Sequence, residues 1–138
     1  MERMLVTPEP FSLNGRPPPQ ALLLWEWGYN GSDVVADGTL VSTRSPNAEG
    51  YYQILGVTGS RNGAPIVGLE PNGNAIPGNE GYPVDNLISA KGSLTVNGFG
   101  YKTVDKSYAN PYYANYLTPP IYQEVFTQPH STAFLKWR

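Results

Sequence analysis

Residues 51–69, YYQILGVTGSRNGAPIVGL, decide the fold. Two runs rich in β-branched and aromatic residues, Tyr51–Gly59 and Ala64–Leu69, meet at Asn62-Gly63. A pleated, half-buried surface favours such side chains. A two-residue type I′ turn needs φ > 0 at both central positions, which Asn and Gly tolerate. The stretch therefore predicts a β-hairpin. The same dipeptide recurs at 14–15, 30–31, 72–73 and 97–98. At 97–98 it again lies between extended runs, Ser93–Val96 and Phe99–Thr103, and predicts a second hairpin.

Upstream of this hairpin, Val34–Ser42 reads as extended and follows a turn at Asn30-Gly31. In Ala21–Gly28, period-2 alternation puts Leu23, Trp25 and Trp27 on one face and Leu22, Leu24 and Glu26 on the other. Both faces are apolar apart from Glu26, which predicts a central strand or one covered on its outer side. Downstream, Glu70–Pro83 is a Gly/Pro-rich loop, and Val84–Ser89 is a short strand or one helical turn. Tyr108–Tyr116 reads YANPYYANY, where Pro111 forbids a helix, and Pro119-Pro120 ends the segment. Tyr122–Phe126 and Thr132–Trp137 predict two last strands. The expected fold is all-β, an antiparallel sandwich or open barrel, with 21–138 as a single domain. Residues 1–20 hold Pro8, Pro10, Pro17, Pro18 and Pro19 and predict an extended arm outside the core.

Composition narrows the function. A chain of 138 residues suits one domain. With 14% charged residues and a net charge of −2, it lacks the clustered basic excess of a nucleic-acid-binding module. Aromatics at 12% exclude an acidic disordered tail. The absence of Cys removes disulfides, thiol nucleophiles and thiolate metal sites. The longest wholly apolar run, Ala21–Trp25, is far short of the roughly 20 residues of a membrane helix, and no membrane partner is expected.

Little of the chemistry of catalysis is visible. The single His, His130, has no Gly-x-Ser-x-Gly elbow beside it, and one His does not make a zinc site. No phosphate-binding Gly loop is present. Asn72, Asn74, Asn79 and Glu80 offer hard oxygen ligands for Ca²⁺, but turn formation explains them without a metal, because the Asp-x-Asp-x-Asp-Gly spacing is missing. No enzyme, catalytic residue, cofactor or metal is expected. The strongest remaining feature is a tyrosine cluster: Tyr108, Tyr112, Tyr113, Tyr116 and Tyr122, with Asn110 and Asn115 among them. Such a set packs a core or sheet edge, forms a protein interface, or stacks on sugar rings while amides bond hydroxyls.

The stretch GYYQILGVTGSRNGAPIVGLEPNGNAIPGNEGYPVDNLIS, followed by NGFGYKT and YANPYYANYLTPP, resembles the repeat-free β-domain of cyanobacterial PEP-CTERM secreted proteins over roughly 35–125. The resemblance implies an exported, surface-sorted chain and supplies no catalytic residues. The expectation is a departure from the family at both ends, with neither a leader nor the terminal Pro-Glu-Pro, apolar helix and basic cluster; Pro8-Glu9-Pro10 stands at the wrong end. The expectation is therefore a non-enzymatic structural protein: a bacteriophage capsid decoration (cement) protein on the virion surface, homo-oligomeric and bound to the major capsid protein. The alternative is an extracellular adhesive or carbohydrate-binding module. Pro17, Pro18, Pro19, Tyr108, Tyr112, Tyr113, Tyr116, Tyr122 and Trp137 are the expected interface residues.

Overall fold

In the computed structural model, which describes residues 9–11, 22–127 and 130–137, ten antiparallel strands are present and, among the described residues, no helix. They are β1 (Glu9–Phe11), β2 (Leu22–Asn30), β3 (Val35–Thr43), β4 (Tyr51–Arg61), β5 (Ala64–Leu69), β6 (Leu87–Ser89), β7 (Tyr101–Thr103), β8 (Tyr108–Ala114), β9 (Ile121–Thr127) and β10 (His130–Trp137). Eight of them, β2, β3, β4, β5, β7, β8, β9 and β10, follow one another around a ring. The ring closes where β10 meets β2, at Lys136↔Asn30 and Trp137↔Tyr29. The all-β antiparallel expectation holds, and of the expected forms the barrel is the one adopted, closed rather than open. Closure leaves few free edges. β1 joins β2 at Glu9↔Leu24 to Phe11↔Leu22, and β6 joins β4 at Tyr51↔Ser89 to Gln53↔Leu87. So part of the expected arm belongs to the sheet; Pro17, Pro18 and Pro19 lie outside the described residues.

Period-2 alternation sorts the walls into inside and outside. On β2, Trp25, Trp27 and Tyr29 point inward and are buried, while Leu24 and Glu26 are exposed; of the two expected forms, β2 is the central strand, paired on both edges, with its outer face open at Leu24. Large and small residues alternate across the interior. Trp27 pairs with Gly38, which pairs with Gly59. A Cβ on Gly38 would sit 1.9 Å from the Thr58 carbonyl oxygen, so only glycine permits this approach. The space goes to aromatic rings: Trp27 lies 5.5 Å from Phe99 and 6.1 Å from Trp137, and Trp137 lies 5.7 Å from Tyr122. The barrel is filled by a packed core, with each buried ring contributing about 1.5–3 kcal/mol.

The two Asn-Gly hairpin expectations part company. Asn62 (φ 49) and Gly63 (φ 83) make the predicted turn between β4 and β5. Asn97-Gly98 makes none: only Gly98 is left-handed (φ 68), and Ser93–Val96 is not a strand. A Cβ on Gly98 would lie 1.9 Å from the Pro111 carbonyl oxygen, so its glycine serves a long-range approach. Residues 95–99 run beside β8 instead, with Tyr113 N–H donating to Thr95 O and Phe99 N–H to Pro111 O. Leu94 bridges Ile88 of β6. The connection from β5 to β7 thus lies against β6 and β8.

Candidate functional site

The connection between β5 and β7 also builds a cleft on the outer face of β8–β9. Ile76 anchors its first half, fully buried against Gly100, where a Cβ would come within 2.9 Å of the Ile76 side chain. Val84 N–H donates to Asn74 O and Gly73 N–H to Val84 O, so the stretch expected to be a loop is tied internally. Asn110 of β8 is buried and fastens the loop to the barrel. Its Nδ2 lies 2.9 Å from Phe99 O and 3.1 Å from Asn97 O, while Asn79 Nδ2 donates to its Oδ1 at 3.4 Å.

The resulting cleft has a volume of about 530 Å³, within the usual size range of ligand sites. Val125, Asn110 and Tyr112 form its floor, and Asn79, Tyr82, Val96, Asn97 and Tyr116 complete its lining. Tyr82 and Tyr116 are 68% and 64% exposed, so two phenol rings stand free at the rim. Tyr112 donates its hydroxyl to Gln123 Oε1 at 2.6 Å, across the Tyr112↔Gln123 pair of the β8–β9 ladder. Burial, followed by the neighbouring Tyr116 and Tyr82 phenols, pushes the Tyr112 hydroxyl above the usual tyrosine range. None of the lining residues is charged at neutral pH. The cleft offers ring faces, amides and hydroxyls.

The expected interface residues divide between surface and core. Tyr112 and Tyr116 are in the cleft. Tyr108 is half-buried on the same strand, with Lys102 Nζ 5.8 Å from its ring centroid. Tyr113 points inward and stacks on Tyr122 at 4.5 Å. Tyr122 and Trp137 are corrected from interface to core: they are 2% and 1% exposed. The Tyr122 hydroxyl accepts from Leu94 N–H at 3.1 Å, and Trp137 Nε1 donates to Gly92 O at 2.9 Å, so both rings secure the loop that closes this end. Tyr82 was not singled out by the sequence, because it stands among glycines and prolines that mark only a loop.

A second polar cluster lies inside the barrel. Arg61 forms a bidentate pair with Glu124, Nε to Oε2 at 2.7 Å and Nη2 to Oε1 at 2.6 Å, and stacks 3.7 Å over the Phe126 ring. Tyr29 donates to Glu124 Oε2 at 2.5 Å. That commits its proton, so the Tyr101 hydroxyl 2.6 Å away donates to the Tyr29 oxygen. Burial, together with the adjacent phenol and carboxylate, holds the Tyr29 hydroxyl well above its ordinary range. This buried set ties β2, β4, β7 and β9 together. In the 72–80 loop, Glu80 accepts from Gly78 N–H at 2.9 Å. Among the described residues no three His, Cys, Asp or Glu side chains gather as a metal site.

The chain matches no protein-family model, no curated protein and no solved structure.

Proposed function

We propose that the protein is a non-enzymatic recognition module that binds a neutral carbohydrate in the Tyr82–Tyr112–Tyr116 cleft. One observation carries this reading: a cleft of about 530 Å³ is lined by three tyrosines, three asparagines and two valines, with no charged side chain. A sugar presents apolar C–H faces to rings and hydroxyls to amides, and the uncharged lining matches a ligand without carboxylate, sulfate or phosphate groups. A charged ligand would leave its charge desolvated and unpaired there.

Affinity electrophoresis through gels containing neutral glucans, mannans or galactans, with an acidic polysaccharide as control, tests it. Retardation by a neutral polymer is expected. Tyr82→Ala and Tyr116→Ala each lose about tenfold in affinity, corresponding to an aromatic contact of about 1.4 kcal/mol, without loss of fold. Retention on the acidic polymer alone, or variants that bind like the parent, overturns the reading. The capsid-decoration role expected from the sequence shares Tyr112 and Tyr116 with this cleft. Failure to bind any glycan, together with Tyr-dependent attachment to phage particles, is the outcome that favours it.

A further inference from the structure

Three asparagines line the tyrosine cleft, and their hydrogen bonds fix which end of each amide is left for a ligand. Asn110 sets the order. Its Nδ2 lies 3.1 Å from Asn97 O, 2.9 Å from Phe99 O and 3.2 Å from Pro111 O. All three are carbonyl acceptors, so the nitrogen faces the backbone and Oδ1 faces Asn79. Asn79 meets an oxygen and therefore presents its Nδ2, at 3.4 Å. Asn97 is oriented in the same way, because its Nδ2 donates to Pro83 O at 2.8 Å. Asn79 Oδ1 and Asn97 Oδ1 are left as acceptors, and among the described residues nothing donates to either.

Donors around these oxygens are already committed to the protein. Asn97 N–H and Gly98 N–H both donate to Thr95 Oγ1, at 3.2 and 3.0 Å, and the Tyr112 hydroxyl donates to Gln123 Oε1. The remaining lining is apolar. Val125 is 8% exposed on the floor, and Val96, next to Asn97 in the chain, is 41% exposed. A ligand matched to this wall carries a hydrogen-bond donor beside a small apolar group, without charge. Sugar hydroxyls supply the donor alone. An acetamido group supplies both, since its N–H and its methyl flank one carbonyl carbon.

We propose that the cleft selects N-acetylated hexosamine units. The acetamido N–H donates to Asn97 Oδ1, its methyl packs on Val96 and Val125, and the exposed Tyr82 and Tyr116 rings take the C–H face of the sugar. The assignment rests on the carbohydrate reading above and specifies its ligand class. A plain neutral hexose keeps the ring contact and loses the methyl. A deacetylated hexosamine loses the methyl too, and its ammonium group meets no carboxylate in the lining.

NMR titration of the full chain tests this, with the methyl glycosides of N-acetylglucosamine, N-acetylgalactosamine, glucose, galactose and glucosamine as probes. Shifts are read at the amides of Tyr82, Val96 and Asn97. At least one acetylated sugar is expected to bind about tenfold more tightly than its hydroxyl counterpart, from one buried methyl and one hydrogen bond. Glucosamine is expected to bind more weakly than its acetylated form. Val96→Ser and Asn97→Ala should each cut the acetyl preference about threefold or more, with melting temperatures recorded alongside. Acetylated and plain sugars binding alike at the cleft would overturn the acetamido assignment and leave the carbohydrate reading standing. So would glucosamine binding most tightly, or an acetyl preference that survives both variants. If no sugar shifts the cleft amides, and no neutral polysaccharide retards the chain, both readings fall.

Discussion

Tyr112 and Tyr113 are neighbours in the chain but face opposite sides of one sheet. The β8–β9 ladder pairs Tyr113 with Tyr122 and Pro111 with Glu124 on its inner face, and Tyr112 with Gln123 and Asn110 with Val125 on its outer face. Inside, Tyr113 stacks on Tyr122, and Glu124 is bound by Arg61 and Tyr29. Outside, the same residue types form the floor of an open cleft. On the proposed reading, a tyrosine-rich strand thus contributes to stability and to recognition at once, with a one-residue step choosing between them. Inner-face changes should cost stability and leave ligand binding untouched, whereas outer-face changes should do the reverse.

The largest test of that division is Glu124. Glu124→Ala strips the buried Arg61 guanidinium of its partner and leaves the Tyr29 hydroxyl without an acceptor. Breaking a buried pair in this way costs about 3–5 kcal/mol, measurable by urea denaturation. Replacing both partners, Arg61→Met with Glu124→Leu, should recover most of the loss, because no orphaned charge remains. Any fall in carbohydrate retention among folded molecules of these variants would break the division. Next in size is Tyr122→Ala, which removes a ring stacked on both Tyr113 and Trp137 and should cost about 3–5 kcal/mol.

The inner face also predicts an alkaline limit. The Tyr29 and Tyr101 hydroxyls are both raised above the ordinary value of 10.0, chiefly by burial and then by their charged or ionisable neighbours. A raised folded value means the contribution is fully present below about pH 10 and disappears as the pH rises, since the unfolded phenols ionise first. Each such tyrosine should remove about 1.4 kcal/mol of stability per pH unit above that point. Denaturation midpoints collected from about pH 8 to pH 11 read the slope directly. Tyr29→Phe with Tyr101→Phe should make it shallower, the remainder coming from the Tyr112 and Tyr122 hydroxyls, which are raised as well; an unchanged slope would show that Tyr29 and Tyr101 are not among the groups responsible.

How much of this was legible follows the range of the interactions. The Asn62-Gly63 hairpin is local, with turn chemistry and flanking alternation agreeing, and it stands as read. The identical dipeptide at 97–98 misleads because Gly98 answers to Pro111, thirteen positions away, rather than to its own flanks. Pro111 excludes a helix as expected, yet it lies within β8. It can do so because the β7 ladder ends at Ala109 and residues 95–99, bonding to the Pro111 carbonyl, take over that edge. Closure is least visible of all, resting on Lys136↔Asn30 and Trp137↔Tyr29 at the two ends of the domain. At the site, the sequence isolates the tyrosines but does not sort them, because sorting needs the strand register through Pro111. It passes over Tyr82, whose position depends on Ile76 reaching Gly100. The Arg61–Glu124 pair joins residues on strands far apart in sequence, and neither carries a local signal.

The finest test of the two faces is Gln123, between inward-facing Tyr122 and Glu124 on β9. Its Oε1 accepts the Tyr112 hydroxyl at 2.6 Å, so it touches the cleft only by holding a ring in place. Gln123→Ala should cost about 1 kcal/mol, the worth of one hydrogen bond, against the several expected at Tyr122 next to it. Its effect on carbohydrate retention should be disproportionate, because the Tyr112 ring loses its tether while Tyr82 and Tyr116 remain. Tyr112→Phe separates the two contributions: it breaks the same bond and keeps the ring. If Phe retains binding better than Gln123→Ala, the packed position of the ring matters more than its hydroxyl. If both variants bind like the parent while losing several kcal/mol in denaturation, Gln123 behaves as an inner-face residue and the division between the two faces fails at the strand that defines it.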